Sequence, residues 1–551
     1  MMKGKILKLF IIGLLAFPKL SVIAQDSKSM EYIVDMVHHN PGEPLYDSKY
    51  SRPDELKGMG YNAKCFYLFD SPTLAINWDG FDKRILPEGT PEREWVDKKA
   101  ARLHGMYNEC KRQGIDVYAM SDLILLPKNL ISLYHIEESF GVPLDTLTQR
   151  ILKYQLQQIF RQFPQMAGII VRIGETYLED APYHKGSIKD KTDPDKCIIP
   201  LINLLREEVC EKLDKKIIFR TWWSFDTDME KYIYVTNHIK PHRNLTIGIK
   251  HCEGDFHRGN PFSEVIGQGQ HQQIIEVQCA REYEGKGTFP NYVSRGVIDG
   301  FEEHSARGKE GKVWSLRQAY ENGNMAGLWT WTRGGGWEGP YPTNELWCDM
   351  NAWILAQWAC HPLESEASLF DRYCRERLSL DEENAKRFRE IALLSERAVI
   401  RGMRSAQYPD EVFSMWVRDE YITFPKLPDD IEKAKIIIAE KDSAVKDWER
   451  ISLLANQMVM SNSIDEEWVK VSCEYGRQMF RIFRAVFHLA GIRQLQLTDN
   501  KDIYIKEYDD AWAILHKLSQ EHPSSCPSLF SRKIVRRTNP TPADDIISEM
   551  R

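Results

Sequence analysis

Eight short runs of β-branched and aromatic residues recur along the first 331 positions, most of them separated by helical periodicity. That repeat constrains the fold more than any other feature of the chain. The runs are Tyr32 to Val37, Ala63 to Phe69, Asp116 to Met120, Gly168 to Ile173, Ile217 to Thr221, Thr246 to Lys250, Ile274 to Gln278 and Gly327 to Trp331. Between the third and fourth, Leu147, Ile151, Leu156, Ile159, Phe160 and Phe163 fall at helical spacing, and Thr90 followed by Pro91 supplies an N-cap and first-turn pair. Several runs are almost continuously apolar, as strands become when helices cover one face and a packed barrel interior the other. The pattern predicts an α/β fold, a (β/α)8 TIM barrel over residues 25–360.

After Pro362 the strand-like runs stop. Tyr475, Met479, Ile482, Val486 and Leu489 then recur at spacings of four and three, which predicts an α-helical C-terminal domain over 361–551 with a loosely held tail beyond about Pro523. Its expected role is packing, cleft-shaping or subunit contact, the last in a homodimer.

At the other end, Lys3, Lys5 and Lys8 precede the apolar stretch Leu9 to Phe17, and Val22 and Ala24 lead to a plausible cut before Gln25. Residues 1–24 read as a signal peptide, and an exported, periplasmic protein with no membrane association after cleavage is expected. Cleavage removes four lysines and no acid, so the formal charge of −7 becomes −11. Such a balance disfavours nucleic-acid binding. The 11 cysteines are scattered singly, without zinc-type spacing, and read mostly as buried thiols. No metal and no cofactor is expected.

In a barrel of this kind the site lies at the carboxyl ends of the strands. Glu175 comes two residues after the fourth run, Asp255 five after the sixth and Glu282 four after the seventh. Glycosidic bonds break when one carboxylic acid protonates the leaving oxygen and another carboxylate activates water or attacks carbon, so acids at neighbouring strand ends suggest sugar hydrolysis. The 15 tryptophans fit sugar-stacking clefts, and also plain cores.

Four segments carry a resemblance to a known family: VRIGET around Glu175, IGIKHCEGDFHRGNPFSEVIG from Ile247 to Gly267, IEVQCAREYEG from Ile275 to Gly285, and WTRGGGWEGPYPTNELWCDMNAWILAQWACHP from Trp331 to Pro362. The chain resembles the α-glucuronidases, the inverting glycoside hydrolases of family 67, over strands four to eight and the start of the helical region. The resemblance implies Glu175 as general acid, Asp255 and Glu282 as candidates for the base, and Lys250, Arg220 and Arg172 as ligands of the sugar carboxylate. A uronic acid entering a cleft walled by carboxylates needs such cationic donors. An oligosaccharide carrying a uronic acid is the implied substrate.

On this reading the chain is expected to lack the domain that family carries ahead of the barrel, and it departs from the family in the loop after strand eight, Thr332, Arg333, Gly334, Gly335, Gly336 and Trp337. Trp337 is the candidate stacking residue there, and Arg333 a candidate substrate ligand. His38 and His39 read as structural. Two alternatives remain open: a glycosidase of the same fold acting on a neutral or differently linked sugar, and a noncatalytic glycan-binding barrel.

Overall fold

The computed structural model describes residues 29–38, 47–136, 145–173, 181–186, 193–222, 225–226, 228–334, 343–411, 422–523 and 542–551. The segment expected to be a signal peptide, residues 1–24, lies outside them.

All eight sequence runs are strands of one closed, parallel barrel: β1 (Tyr32–His38), β2 (Ala63–Phe66), β3 (Asp116–Asp122), β4 (Met166–Arg172), β5 (Lys216–Arg220), β6 (Leu245–Lys250), β7 (Gln272–Gln278) and β8 (Met325–Gly334). Each pairs with its neighbours in sequence, and β8 closes on β1, Tyr32 opposite Gly327 and Val34 opposite Trp329. Between Met36 and Val37 the register slips, so that Val37 faces Arg333. Asp35 pins this bulge by accepting from the Thr332 amide at 3.2 Å and the Thr330 hydroxyl at 2.7 Å.

Helix α1 (Pro91–Arg112) starts as expected, with the Thr90 hydroxyl accepting from the Arg93 amide. Helix α2 (Thr146–Gln162) is capped by Asp145 and buries Ile151, Leu156, Ile159 and Phe160. Between β6 and β7, by contrast, the chain forms only the short turn Glu253–Phe256, and no long helix crosses the barrel there.

Side chains alternate between two packed layers, as strand geometry requires. Ile33 and Val37 join the core beneath the helices, whereas Val34 and Met36 pack in the barrel interior with Cys65, Met120, Ile170, Ile218, Ile274 and Trp329.

Past β8, α3 (Leu346–Cys360) is buried nearly all round, and a helical region follows with α4 (Glu382–Met403), α5 (Ile431–Asn456), α6 (Ser463–Leu495) and α7 (Lys501–Glu521). In this order each of α4 to α7 packs on the next. Its core meets the barrel through aromatic contacts. Phe289, from the loop after β7, lies edge-on to Trp448 of α5 and Phe480 of α6, and Trp347 stacks on Phe388 at 5.6 Å. The ten described cysteines are free thiols, nine of them buried. None of the described helices is long and apolar enough to cross a membrane.

Candidate active site

Followed to their carboxyl ends, the inward-facing positions of the strands stop being apolar. His38 ends β1, Tyr67 lies just past β2, and Asp122, Arg172, Arg220, Lys250 and Gln278 end β3 to β7, while Trp331 stands near the end of β8. All eight are buried. They make a polar and aromatic layer above the apolar barrel interior.

Within this layer every cation is matched to a carboxylate. The Arg172 Nε donates to Asp122 at 3.1 Å. Arg220 makes a two-pronged bond with Glu276, one layer deeper, at 2.7 and 2.9 Å. Lys250 donates to Asp255. Planar pairing of guanidinium and carboxylate is the strongest form of this contact, and burial sharpens it.

Two indole rings organise the same charges. Arg172, Arg220 and Lys250 lie 5.2, 5.0 and 4.8 Å from the Trp222 ring, and Arg220 also lies 5.0 Å from Trp331. Cations held over aromatic faces gain electrostatic attraction from the ring quadrupole. His38 stacks on Trp331 at 4.8 Å and approaches Tyr67 to 4.1 Å. Burial pushes the Tyr67 phenol up from its ordinary range, while the charges of Arg172 and Arg220 draw it down and those of Asp122 and Glu282 raise it.

Asp255 sits in the turn that replaces the crossover helix. Gly254, Asp255 and Phe256 all have left-handed backbone, with φ of 59°, 54° and 65°. Such a conformation at non-glycine residues costs energy and is concentrated at functional sites. Asn260 steadies the turn by donating to the Glu253 carbonyl at 3.1 Å. Glu282 is buried in the loop after β7, its amide donating to Gln278 Oε1 at 3.2 Å. Asp226, in the loop after β5, is a further carboxyl near these groups. Burial raises it above the usual carboxylate range against the pull of Lys250 and Arg220.

Of the residues expected from sequence, Asp255, Glu282, Lys250, Arg220 and Arg172 lie at the carboxyl ends of β4 to β7 or in the loops that follow. Glu175 and Trp337 lie outside the described residues. Arg333 is buried against α3, its Nε 3.2 Å from Glu345 and its Nη1 3.9 Å from the Cys348 sulfur. Sequence reasoning missed Tyr67, Asp122, Glu276, Gln278 and Asp226. Continuing the two-residue alternation to the end of each run would have found Asp122, Glu276 and Gln278. Among the described residues no three His, Cys, Asp or Glu side chains are grouped to hold a metal ion.

No protein-family model and no curated protein matches the chain. Solved structures do match. The GH138 enzyme targeting pectin rhamnogalacturonan II superposes with a TM-score of 0.51 and 15% identity over 95% of this chain and 66% of its own, so the chain spans about two thirds of that structure. An O-GlcNAc hydrolase mutant from Thermobaculum terrenum gives 0.40 at 9% identity, over 94% of this chain and 93% of its own. A D-psicose 3-epimerase gives 0.33 at 9%, over 59% and 97%. At 15% identity the likeness to the GH138 enzyme shows the fold alone.

Proposed function

We propose that the chain is an exported glycoside hydrolase, similar to the α-glucuronidases, that removes a uronic acid from a glycan oligosaccharide by inversion. The observation that carries this reading is the placement of Asp255 and Glu282 in consecutive loops at the carboxyl ends of β6 and β7, beside a polar, aromatic layer. Glycosidic cleavage needs a carboxyl group that protonates the leaving oxygen and a carboxylate opposite it, and Asp255 and Glu282 are the two candidates for the second. In this reading Glu175 donates the proton to the leaving oxygen, and Asp255 or Glu282 activates water on the opposite face. Arg172, Arg220 and Lys250 hold the sugar carboxylate, with Trp222 and Trp337 against the ring.

One observation favours a second reading, a neutral or differently linked sugar. Arg172, Arg220 and Lys250 each already contact a carboxylate of the chain. A substrate anion would have to share those cations.

The test is digestion of a panel of acidic and neutral oligosaccharides, pectic fragments included, with NMR of the newly released anomer. Release of a uronic acid with inverted configuration supports the first reading. Release of a neutral sugar alone supports the second, and binding without turnover in either group leaves a glycan-binding barrel.

A further inference from the structure

The two loops that carry Asp255 and Glu282 are tied together residue by residue. One position past Asp255, the Phe256 carbonyl accepts from Arg281, which immediately precedes Glu282. Two positions past, the His257 ring stacks on that of Tyr283, centroids 4.3 Å apart and planes 18° apart. Three positions past, the Arg258 amide donates to Glu284 at 3.1 Å. Arg281 also meets His251 Nε2 at 3.2 Å, next to Lys250.

The helical region reaches this ladder from the side. Arg404, just after α4, donates to Nδ1 of His257. Lys441 of α5 in turn donates to the carbonyls of Arg401, at 2.7 Å, and Arg404. Tyr283, His257 and Arg404 are 3%, 8% and 9% exposed, so the contacts are made away from bulk water. Burial and the Arg404 charge hold the His257 imidazole well below its ordinary range, which keeps Nδ1 an acceptor.

We propose that His257, Tyr283 and Arg404 form a brace that fixes the separation of Asp255 and Glu282, which makes the helical region a positioning part of the active site. The proposal rests on the reading of those two carboxylates as the candidates for the base. Their positions matter because either carboxylate is a candidate to activate the water, and a displacement of roughly 1 Å from the productive geometry costs about 10²-fold in rate. The left-handed turn at Asp255 is costly by itself, and contacts outside it must hold it. None of the three brace residues needs to touch substrate.

The experiment compares the full-length wild type with Tyr283→Phe, Tyr283→Ala and Arg404→Met. Expected for Tyr283→Ala and Arg404→Met is a fall in kcat of about 30-fold or more with KM within about threefold and a displaced limb of the pH profile; Tyr283→Phe, which keeps the stacking ring, stays within about threefold of wild type. Crystal structures of the wild type and the two disruptive variants give the distance between the carboxyl groups directly, with an expected change of about 1 Å or more. Wild-type spacing in folded Tyr283→Ala or Arg404→Met overturns the brace, and so does a change in KM alone. If the wild type cleaves no glycoside, the functional reading falls and the crystallographic distance alone decides the brace. If Tyr283→Ala does not fold, Arg404→Met supplies the same pair of readouts.

Discussion

Arg220 and Glu276 meet inside the barrel, 56 positions apart in sequence, with Nε and Nη2 of the guanidinium on the two carboxylate oxygens at 2.7 and 2.9 Å. The side chains are 2% and 0% exposed. A charge left without its partner at such depth is among the more damaging single changes a protein suffers.

Glu276→Gln should therefore destabilise the fold by about 3–5 kcal/mol, because Arg220 would keep its charge in a site that no longer balances it. Urea denaturation of the two proteins measures this directly. A loss below about 1 kcal/mol would mean that the pair is solvated or replaced by another contact.

The candidate carboxylates are tested one at a time. Glu175→Gln should abolish hydrolysis while sparing ligand binding, as expected for a lost proton donor. Of Asp255→Asn and Glu282→Gln, the one that removes the base should lower kcat by about 10²–10⁴-fold. Turnover unchanged in both would take these residues out of the mechanism, whatever Glu175 does.

Asp35 gives a pH signature independent of catalysis. Burial raises its carboxyl to about 6 from an ordinary 3.8, against hydrogen bonds from Thr332 and Thr330 that favour the charged form. The folded protein thus keeps this proton to higher pH than the unfolded chain. The associated stability is fully present below about pH 4 and is lost as pH rises through about 6, a swing of roughly 3 kcal/mol. Asp35→Asn should flatten the fall in stability between about pH 4 and 6. Parallel stability–pH curves for variant and wild type would contradict the assignment.

Gly254 opens the left-handed turn at Asp255, and a Cβ there would stand 2.6 Å from Nδ2 of Asn260. Gly254→Ala should cost about 1–2 kcal/mol of stability from backbone strain. It should also lower kcat by about tenfold or more, because it displaces the neighbouring carboxylate. Thermal melting and steady-state kinetics read the two effects separately, and wild-type kcat would detach Asp255 from the chemistry.

The barrel was legible in the sequence because its signal is local. Each of the eight runs carries its own β-branched and aromatic content, and the Thr90–Pro91 cap marks a helix start from two adjacent residues. The strand-end positions of Asp255, Glu282, Lys250, Arg220 and Arg172 could be counted off the same runs. Where the chain crosses from β6 to β7 without a long helix, the sequence pattern offered no account of what stands there instead.

The sequence by itself determined the order of the strands, the change from barrel to helical region, and the strand-end positions of Arg172, Arg220 and Lys250. Only the tertiary structure decided how those charges are matched. Barrel closure sets the register that brings Glu276 under Arg220 and Asp122 beside Arg172. It also lets Arg404, 147 positions away, reach His257. Periodicity depends on near neighbours along one chain, whereas a buried ion pair or a ring stack depends on the distance between segments. That distance does not exist until the barrel has closed.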